Sequence, residues 1–214
     1  GAGATMTRTG KSPRLSQHLA EPYAEMHPAD AGRRGIADAD IVRIVTDAGS
    51  VLARALLSVR QQPGSIFVPI HWTDQFASRA RIDTLVSAIT DPVSGQPASK
   101  NVPVEVERFA TAWFGFAVLG DRPGVLDADY WALANCIGGW RLELAWQRAD
   151  LDGRTLACRL FGCPVETGIL SYHDADSGQE RFAWFEGEQL RGALFLAPEP
   201  VAVSRAWAVE QLST

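Results

Sequence analysis

Residues 41–59 read IVRIVTDAGSVLARALLSV, and the interpretation of this stretch sets the fold class. Two runs rich in β-branched and apolar side chains flank Asp47-Ala48-Gly49. Short polar residues and a glycine between such runs are a hairpin signal, with the glycine placed to take a positive φ. Working outward, YAEMHP (23–28) is a short strand, and the ADAGRRGIADAD that follows it predicts one brief helix closed by Gly35. SIFVPIHW (65–72) is a further apolar run after a Pro63-Gly64 turn. NVPVEVERF (101–109) alternates Val102, Val104 and Val106 with Glu105 and Glu107, the pattern of a half-buried strand. Short strands at regular spacing with one small helix predict a closed barrel rather than a doubly wound sheet.

Two stretches resist that pattern. Residues 73–87 and 88–100 are long and polar, and the second is interrupted by Gly and Pro. Loops of this length in a compact domain are functional or disordered.

From about residue 109 the character changes, because six of the seven tryptophans and the acidic excess lie beyond it. Residues 130–146 predict a hairpin around Gly138-Gly139, and GRTLACRLFG (153–162) predicts a helix ended by Gly162. Residues 168–198 read strand, turn, strand, turn, strand, with turns at Asp176-Ser177-Gly178 and Glu186-Gly187. PVAVSRAWAVEQL (200–212) predicts a closing amphipathic helix. The expected organisation is a β-barrel over 1–108 and a small α+β domain over 109–214.

The bulk numbers agree with a globular chain: 214 residues, 46% hydrophobic, 21% charged, net charge −5. No apolar run approaches the roughly 18 residues of a membrane span, and the start has no signal-peptide core. The GAGA lead-in without an initiator Met is expected to mark a tag remnant on a piece of a longer protein. Cys136, Cys158 and Cys163 are an odd count without CxxC spacing, so neither a disulfide framework nor a zinc site is predicted. Cys158 and Cys163 straddle a helix end and are expected to be buried, inert thiols, and a reducing cytoplasm is the default. The Trp-rich second half reads most simply as core, although an exposed Trp146 or Trp184 would mark a docking face.

TMTRTGKSPRLSQ (5–17) contains TGKS, the second half of a phosphate-binding P-loop. The required first glycine falls on Thr5, and no apolar strand precedes it, so that reading is rejected. What remains is a cationic, hydroxyl-rich segment: Arg8, Lys11 and Arg14 occur in the first fourteen residues, with no acid among them. Such a segment suits an anionic ligand, and the competing reading is a solvated terminus. His18, His27 and His173 have no partners at metal-binding spacing. No pair among Asp74, Asp83 and Asp91 suggests acid/base catalysis, and no Ser/His/Asp order is readable. No catalytic or metal residue is assigned.

MTRTGKSPRLSQHLAEPYAEMHPADAGRRGI (6–36), DADIVRI (38–44), VPIHWTDQF (68–76) and TDPVSGQP (90–97), in this order, resemble the C-terminal cofactor-binding domain of assimilatory nitrate reductases. These are molybdopterin oxidoreductases of the bis-molybdopterin guanine dinucleotide class. The likeness covers about residues 5 to 108. Residues 112–212, from AWFGFAV to AVSRAWAVEQL, resemble the segment that follows in the same enzymes, where it precedes a small [2Fe–2S] domain without counterpart in these 214 residues. A weaker likeness is to C-terminal domains of some flavin reductases.

The resemblance implies a mainly β, α+β chain: a six-stranded double-psi β-barrel followed by a small α+β domain. It implies that Thr7, Arg8, Thr9, Gly10, Lys11 and Ser12 lie along the cofactor, with His71, Trp72, Gln96 and Lys100 also meeting it. Amides, hydroxyls and cations suit its diphosphate, and placed donors and acceptors suit its ring edges. Where many relatives carry an Asn facing the pterin, this sequence has Asp83, and a carboxylate cannot donate as an amide does. The implied function is that of the C-terminal part of a cytoplasmic nitrate reductase, inactive alone, with the cofactor held in the full-length enzyme and none retained by this piece. Implied partners are the rest of the polypeptide and an electron-donating reductase or ferredoxin-like protein, with neither membrane nor nucleic acid. The alternatives are the same domain of another oxidoreductase, such as a formate dehydrogenase, or a non-enzymatic barrel binding anions or nucleic acid. The acidic charge and the lack of an aromatic–basic stripe count against the last.

Overall fold

The computed structural model describes residues 20–70, 72–86, 101–164 and 168–213. They fall into two compact units, with the division between Ala110 and Thr111. Both are built on β-sheets, as the mainly β expectation requires.

The first unit contains β1 (Tyr23–Met26), helix α1 (Pro28–Arg33), β2 (Ile41–Thr46), β3 (Gly49–Leu57), β4 (Ile66–Phe67), a 3-10 turn at Ile82–Leu85 and β5 (Glu105–Arg108). The sheet order is β4-β1-β3-β2-β5, and the sheet curls as a half-barrel. β1 runs parallel to β3, while the other pairs are antiparallel. Apolar residues of β2 and β3, among them Ile44, Val51 and Ala53, pack with Met26, Leu85 and Val106 into one core. α1 begins as its sequence dictates, with Pro28 in the first turn and the His27 Nδ1 accepting from the Ala29 N–H at 3.1 Å. His27 is therefore a helix cap. Gly35, at φ 63°, ends that turn as expected.

The hairpin at Asp47-Ala48 is present, but its glycine serves another purpose than the one expected. Gly49 is absent from the positive-φ glycines and already belongs to β3. A Cβ there would stand 2.8 Å from the Thr84 carbonyl oxygen, so the side chain is missing to let another segment approach.

The second unit holds β6 (Trp113–Leu119), β7 (Tyr130–Cys136), β8 (Gly139–Trp146), α2 (Gly153–Phe161), β9 (Leu170–Asp174), β10 (Gln179–Glu186), β11 (Gln189–Ala197) and α3 (Arg205–Gln211). Its sheet is antiparallel, in the order β7-β8-β6-β11-β10-β9. β6 lies inside the sheet between β8 and β11. Almost every residue of it is buried, so its sequence shows no alternation to mark it as a strand.

One face of the sheet carries α2. Ala117, Leu119, Leu142, Leu144, Leu194 and Leu196 meet Leu156, Leu160 and Phe161 there. Asp152 caps that helix by accepting from the Thr155 N–H at 3.0 Å, and Gly162 closes it in the left-handed region at φ 69°. Hydrogen bonding to Thr155 also lowers the Asp152 pKa. The opposite face carries α3 over Phe116, Val118 and Ala193. α3 is shorter than the helix expected over 200–212. It starts only after Ser204, whose hydroxyl accepts from the Trp207 N–H, because Pro200 and the β-branched Val201 and Val203 keep the preceding chain extended.

Trp146 is fully buried, its Nε1 donating to the Asp127 carbonyl at 2.6 Å, so it belongs to the core as expected and marks no docking face. Trp184 is partly buried against the α2-side core. All three thiols are free. Cys158 and Cys163 are buried as expected, and burial pushes the Cys136 thiol up to about 11.

Candidate functional site

Strand register brings the start of β1, the end of β4 and the start of β5 to one end of the first sheet. β1 and β4 are antiparallel with Glu25 opposite Phe67, so the chain entering β1 and the chain leaving β4 stand at the same end. β3 runs parallel to β1 with Tyr23 beside Arg54, and its start at Gly49 extends past that end. β2 finishes there, with Thr46 opposite Gly49, and β5 begins there, with Glu105 opposite Val45. The described residues that lead into β1 (20–22), leave β4 (68–70) and lead into β5 (101–104) therefore adjoin a common end of the sheet. The approach to β1 is held firmly: the Arg54 Nε donates to Glu21 Oε2 at 2.9 Å, and the Arg54 N–H donates to the Pro22 carbonyl at 2.9 Å.

Thr7, Arg8, Thr9, Gly10, Lys11, Ser12, His71, Gln96 and Lys100 lie outside the described residues. Trp72 lies within them and is buried, 8% exposed.

The segment from Trp72 to Val86 is ordered by specific contacts, which its polar sequence does not reveal. The Leu52 N–H donates to the Arg79 carbonyl at 2.9 Å, and the Thr46 Oγ1 donates to the Leu85 carbonyl at 3.1 Å. Ala77, Ala80 and Leu85 are buried, and Arg79 adopts φ 47°, a left-handed conformation that costs a non-glycine residue energy. With the Gly49–Thr84 approach, the segment is locked onto the β2–β3 hairpin. Gly49→Ala should push Thr84 away and cost about 1–3 kcal/mol. Urea unfolding checks this, and a variant as stable as the parent would show that the approach is slack.

Within this segment Arg81 binds two carboxylates, Asp83 at 2.7 Å and Asp74 at 3.6 Å. The Arg81 hydrogen bond holds the Asp83 carboxyl below its ordinary value. Asp83 is thus an ionised acceptor engaged by Arg81, and the amide-type donation of an Asn is not available from it. Beside these, the Thr73 Oγ1 is buried and has no hydrogen-bond partner among the described residues.

A groove of about 540 Å³ adjoins the β4 and β5 edges, lined by Met26, Asp30, Arg34, Ser65, Asn101 and Val106 among others. The Asp30 carboxylate is occupied, accepting from the Gly64 N–H at 2.7 Å and from Arg33. The Arg34 Nη1 donates to the Asp30 carbonyl at 3.1 Å, which leaves the rest of an exposed guanidinium on the groove wall. Lys100 directly precedes Asn101 in sequence. Arg34, Ser65 and Asn101 carry no sequence signal, because they lie in different elements and share no spacing.

Trp72 and Thr73 are not among the residues that line this groove, whose polar lining includes the Arg34 guanidinium, the Ser65 hydroxyl, the Asn101 amide and the engaged Asp30 carboxylate. An exposed cation beside neutral donors suits an anionic group. Among the described residues no group of three His, Cys, Asp or Glu could hold a metal ion, and no helix is long and apolar enough to cross a membrane.

The comparisons with known proteins bear on the same residues. Residues 1–103 match the family described as Molydopterin dinucleotide binding domain. A nitrate reductase of Klebsiella oxytoca is 35% identical over 206 residues, covering 95% of this chain and 23% of that protein. An assimilatory nitrate reductase catalytic subunit of Bacillus subtilis (strain 168) is 31% identical over 102 residues, covering 48% of this chain and 14% of that protein. A putative dimethyl sulfoxide reductase catalytic subunit of Halobacterium salinarum is 37% identical over 98 residues, 46% of this chain and 12% of that protein. The chain spans less than a quarter of the length of each of these relatives. A domain so described implies a molybdopterin guanine dinucleotide cofactor in the full-length enzyme. Through its first 103 residues, the chain belongs to the molybdopterin dinucleotide-binding domain family of oxidoreductases.

Proposed function

We propose that this chain is the C-terminal part of the catalytic polypeptide of an assimilatory nitrate reductase, clasping one side of the dinucleotide cofactor. One observation carries the choice of nitrate. The Klebsiella oxytoca match continues across both units, over 206 residues, whereas the Halobacterium salinarum match covers 98. A dinucleotide-binding half is shared among enzymes with different substrates, so agreement through the second half is the more selective signal.

When bound, the cofactor supplies the two-electron, oxygen-atom-transfer chemistry that turns nitrate into nitrite. The work of this chain is to bind and orient. Thr7, Arg8, Thr9, Gly10, Lys11 and Ser12 offer amides, hydroxyls and cations to the diphosphate. His71 and Trp72 present a ring edge and a flat apolar face, and Gln96 and Lys100 add an amide and a cation. The rest of the polypeptide completes the site, and the electrons come from a reductase or ferredoxin-like partner in the cytoplasm. Alone, the chain is inactive.

Lys11→Ala combined with Lys100→Ala in the full-length enzyme should lower both molybdenum content and nitrate turnover by at least about tenfold, as expected for the loss of two charge-assisted contacts. Metal analysis and a nitrite assay check this, and wild-type values for both would show the assigned contacts to be wrong.

A second reading, another oxidoreductase with the same cofactor, is favoured by the Halobacterium salinarum likeness. Turnover of a sulfoxide or formate in place of nitrate by the loaded enzyme would select it.

A further inference from the structure

We infer that the α3 side of the second unit is a self-complementary surface, on which α3 of a second copy of this chain seats beside the first. The inference concerns the second unit alone and does not depend on the cofactor reading.

The sheet leaves part of one face bare. α3 packs over Phe116 and Val118 of β6 and Ala193 of β11. Ala193 is opposite Ala183, Ala183 is opposite Leu170, and Arg181 is opposite Tyr172. Directly opposed residues share a face of a sheet, as do residues two apart on one strand. Leu170, Tyr172 and Arg181 therefore stand on the α3 side of β9 and β10, beyond the strands that α3 covers. Leu170, Tyr172, Phe185 and Trp207 are 64%, 56%, 42% and 53% exposed, and they line an open groove of about 460 Å³ between these strands and α3. Two strands make the bare strip about 10 Å wide, which is the diameter of one helix. The strip has room for a helix laid alongside α3.

Charge and symmetry select that helix. Arg181 is exposed in the strip, with Gln179 Oε1 at 3.4 Å and the Tyr172 ring centroid at 5.5 Å, and it makes no ion pair among the described residues. α3 turns Trp207 and Glu210 outward, three residues apart on one helical face, while Ala208 and Leu212 face the sheet. An indole with a carboxylate one turn on complements an apolar strip that holds a cation. The same chain carries the helix and the strip side by side. A two-fold axis between two copies places each α3 in the other's strip, with Glu210 meeting the partner's Arg181 twice. The area is in the range required. Aromatic side chains bury about 150–250 Å² each, so Tyr172, Phe185 and Trp207 at half exposure offer about 300 Å² per copy. The two copies together reach about half of the roughly 1,200 Å² of a stable interface, which leaves the remainder to Leu170, Gln211 and the charged rim.

In sedimentation equilibrium the 214-residue chain should pass from monomer to dimer between about 1 and 200 μM. Arg181→Glu and Glu210→Arg should each weaken the dimer at least about tenfold, and the two reversals in one chain should restore it. Trp207→Glu should leave a monomer. All three residues are exposed, so the urea midpoint at a concentration where the chain is monomeric should stay at the parental value, which separates loss of the interface from loss of the fold. A chain that is monomeric throughout the range would overturn the inference. So would a dimer that the single reversals leave intact, or one that the double reversal does not restore. If the 214-residue chain dimerises while the full-length enzyme sediments as a monomer, the rest of the polypeptide covers the strip and the inference falls.

Discussion

Arg205→Ala is expected to destabilise the second unit by about 3 kcal/mol, measured as a lower urea midpoint of unfolding. The reason is the carboxylate that it leaves behind. Glu143 lies in β8 on the α3 face of the sheet, with its side chain 5% exposed, and accepts from the Arg205 Nε at 3.0 Å and Nη2 at 2.8 Å. The same guanidinium donates to the carbonyls of Val201 and Val203 and lies over the Phe116 ring, 4.4 Å from its centroid. One side chain therefore neutralises a buried charge, satisfies two main-chain acceptors before α3 and stacks on the core. Removing it takes the paired guanidinium contact from a carboxylate in a low-dielectric site and loosens α3 at its first turn. Arg205→Lys should recover only part of the loss, since an ammonium cannot form the paired contact. If Arg205→Ala unfolds at the parental midpoint, the Arg205–Glu143 pair does not hold α3 to the sheet, and the account of α3 docking is wrong.

Gly139→Ala is expected to cost a similar amount, about 3 kcal/mol, and to act on the β6–β8 pairing. A Cβ at residue 139 would stand 2.0 Å from the Leu119 carbonyl oxygen and 3.0 Å from the Gly120 Cα. Both obstacles are backbone, so no rotamer change relieves them. Leu119 is paired with Trp140 at the adjoining register position, and a shift there would strain the ladder between the two strands. Gly187→Ala is the useful comparison. That glycine has φ 63° but meets nothing within 4 Å, so its substitution should cost only the left-handed backbone strain, about 1 kcal/mol. Equal midpoints for the two variants would show that the close approach at Gly139 carries no weight.

These two sites illustrate what local pattern could and could not reveal. The Gly138-Gly139 pair marks a hairpin in the sequence, and the hairpin is present between β7 and β8. That Gly139 is required by the neighbouring β6 depends on a strand about twenty residues earlier, which no spacing rule links to it. Gly49 repeats the case: the turn was readable, while its true constraint, the Thr84 carbonyl, lies 35 residues away. The strand–turn–strand–turn–strand ending and the Gly162 stop of α2 were legible because caps and turns are decided by neighbours in sequence. β6 was not legible as a strand, since burial on both faces removes the alternation on which recognition depends.

The candidate site divides along the same line. Composition marked 5–17 as cationic and hydroxyl-rich, and resemblance linked it to 68–76 and 90–97. The antiparallel β1–β4 and parallel β1–β3 registers bring the start of β1 and the end of β4 to one end of a single sheet, which chain order does not show. The orphaned Thr73 hydroxyl, the Arg81 partner of Asp83 and the groove beside Arg34 had no signal in the sequence. A threonine in a polar run looks like any other until its surroundings are known.

The sequence by itself determined the mainly β class, the turn and cap positions, the change of character near residue 109 and the chemistry of the N-terminal segment. All of these follow from the residue types and their near neighbours. Only the tertiary structure decided which strands are neighbours, which glycines are steric necessities and which polar atoms lack partners. Those properties depend on the atoms that long-range pairing brings within a few ångströms, and chain order does not encode such distances one residue at a time.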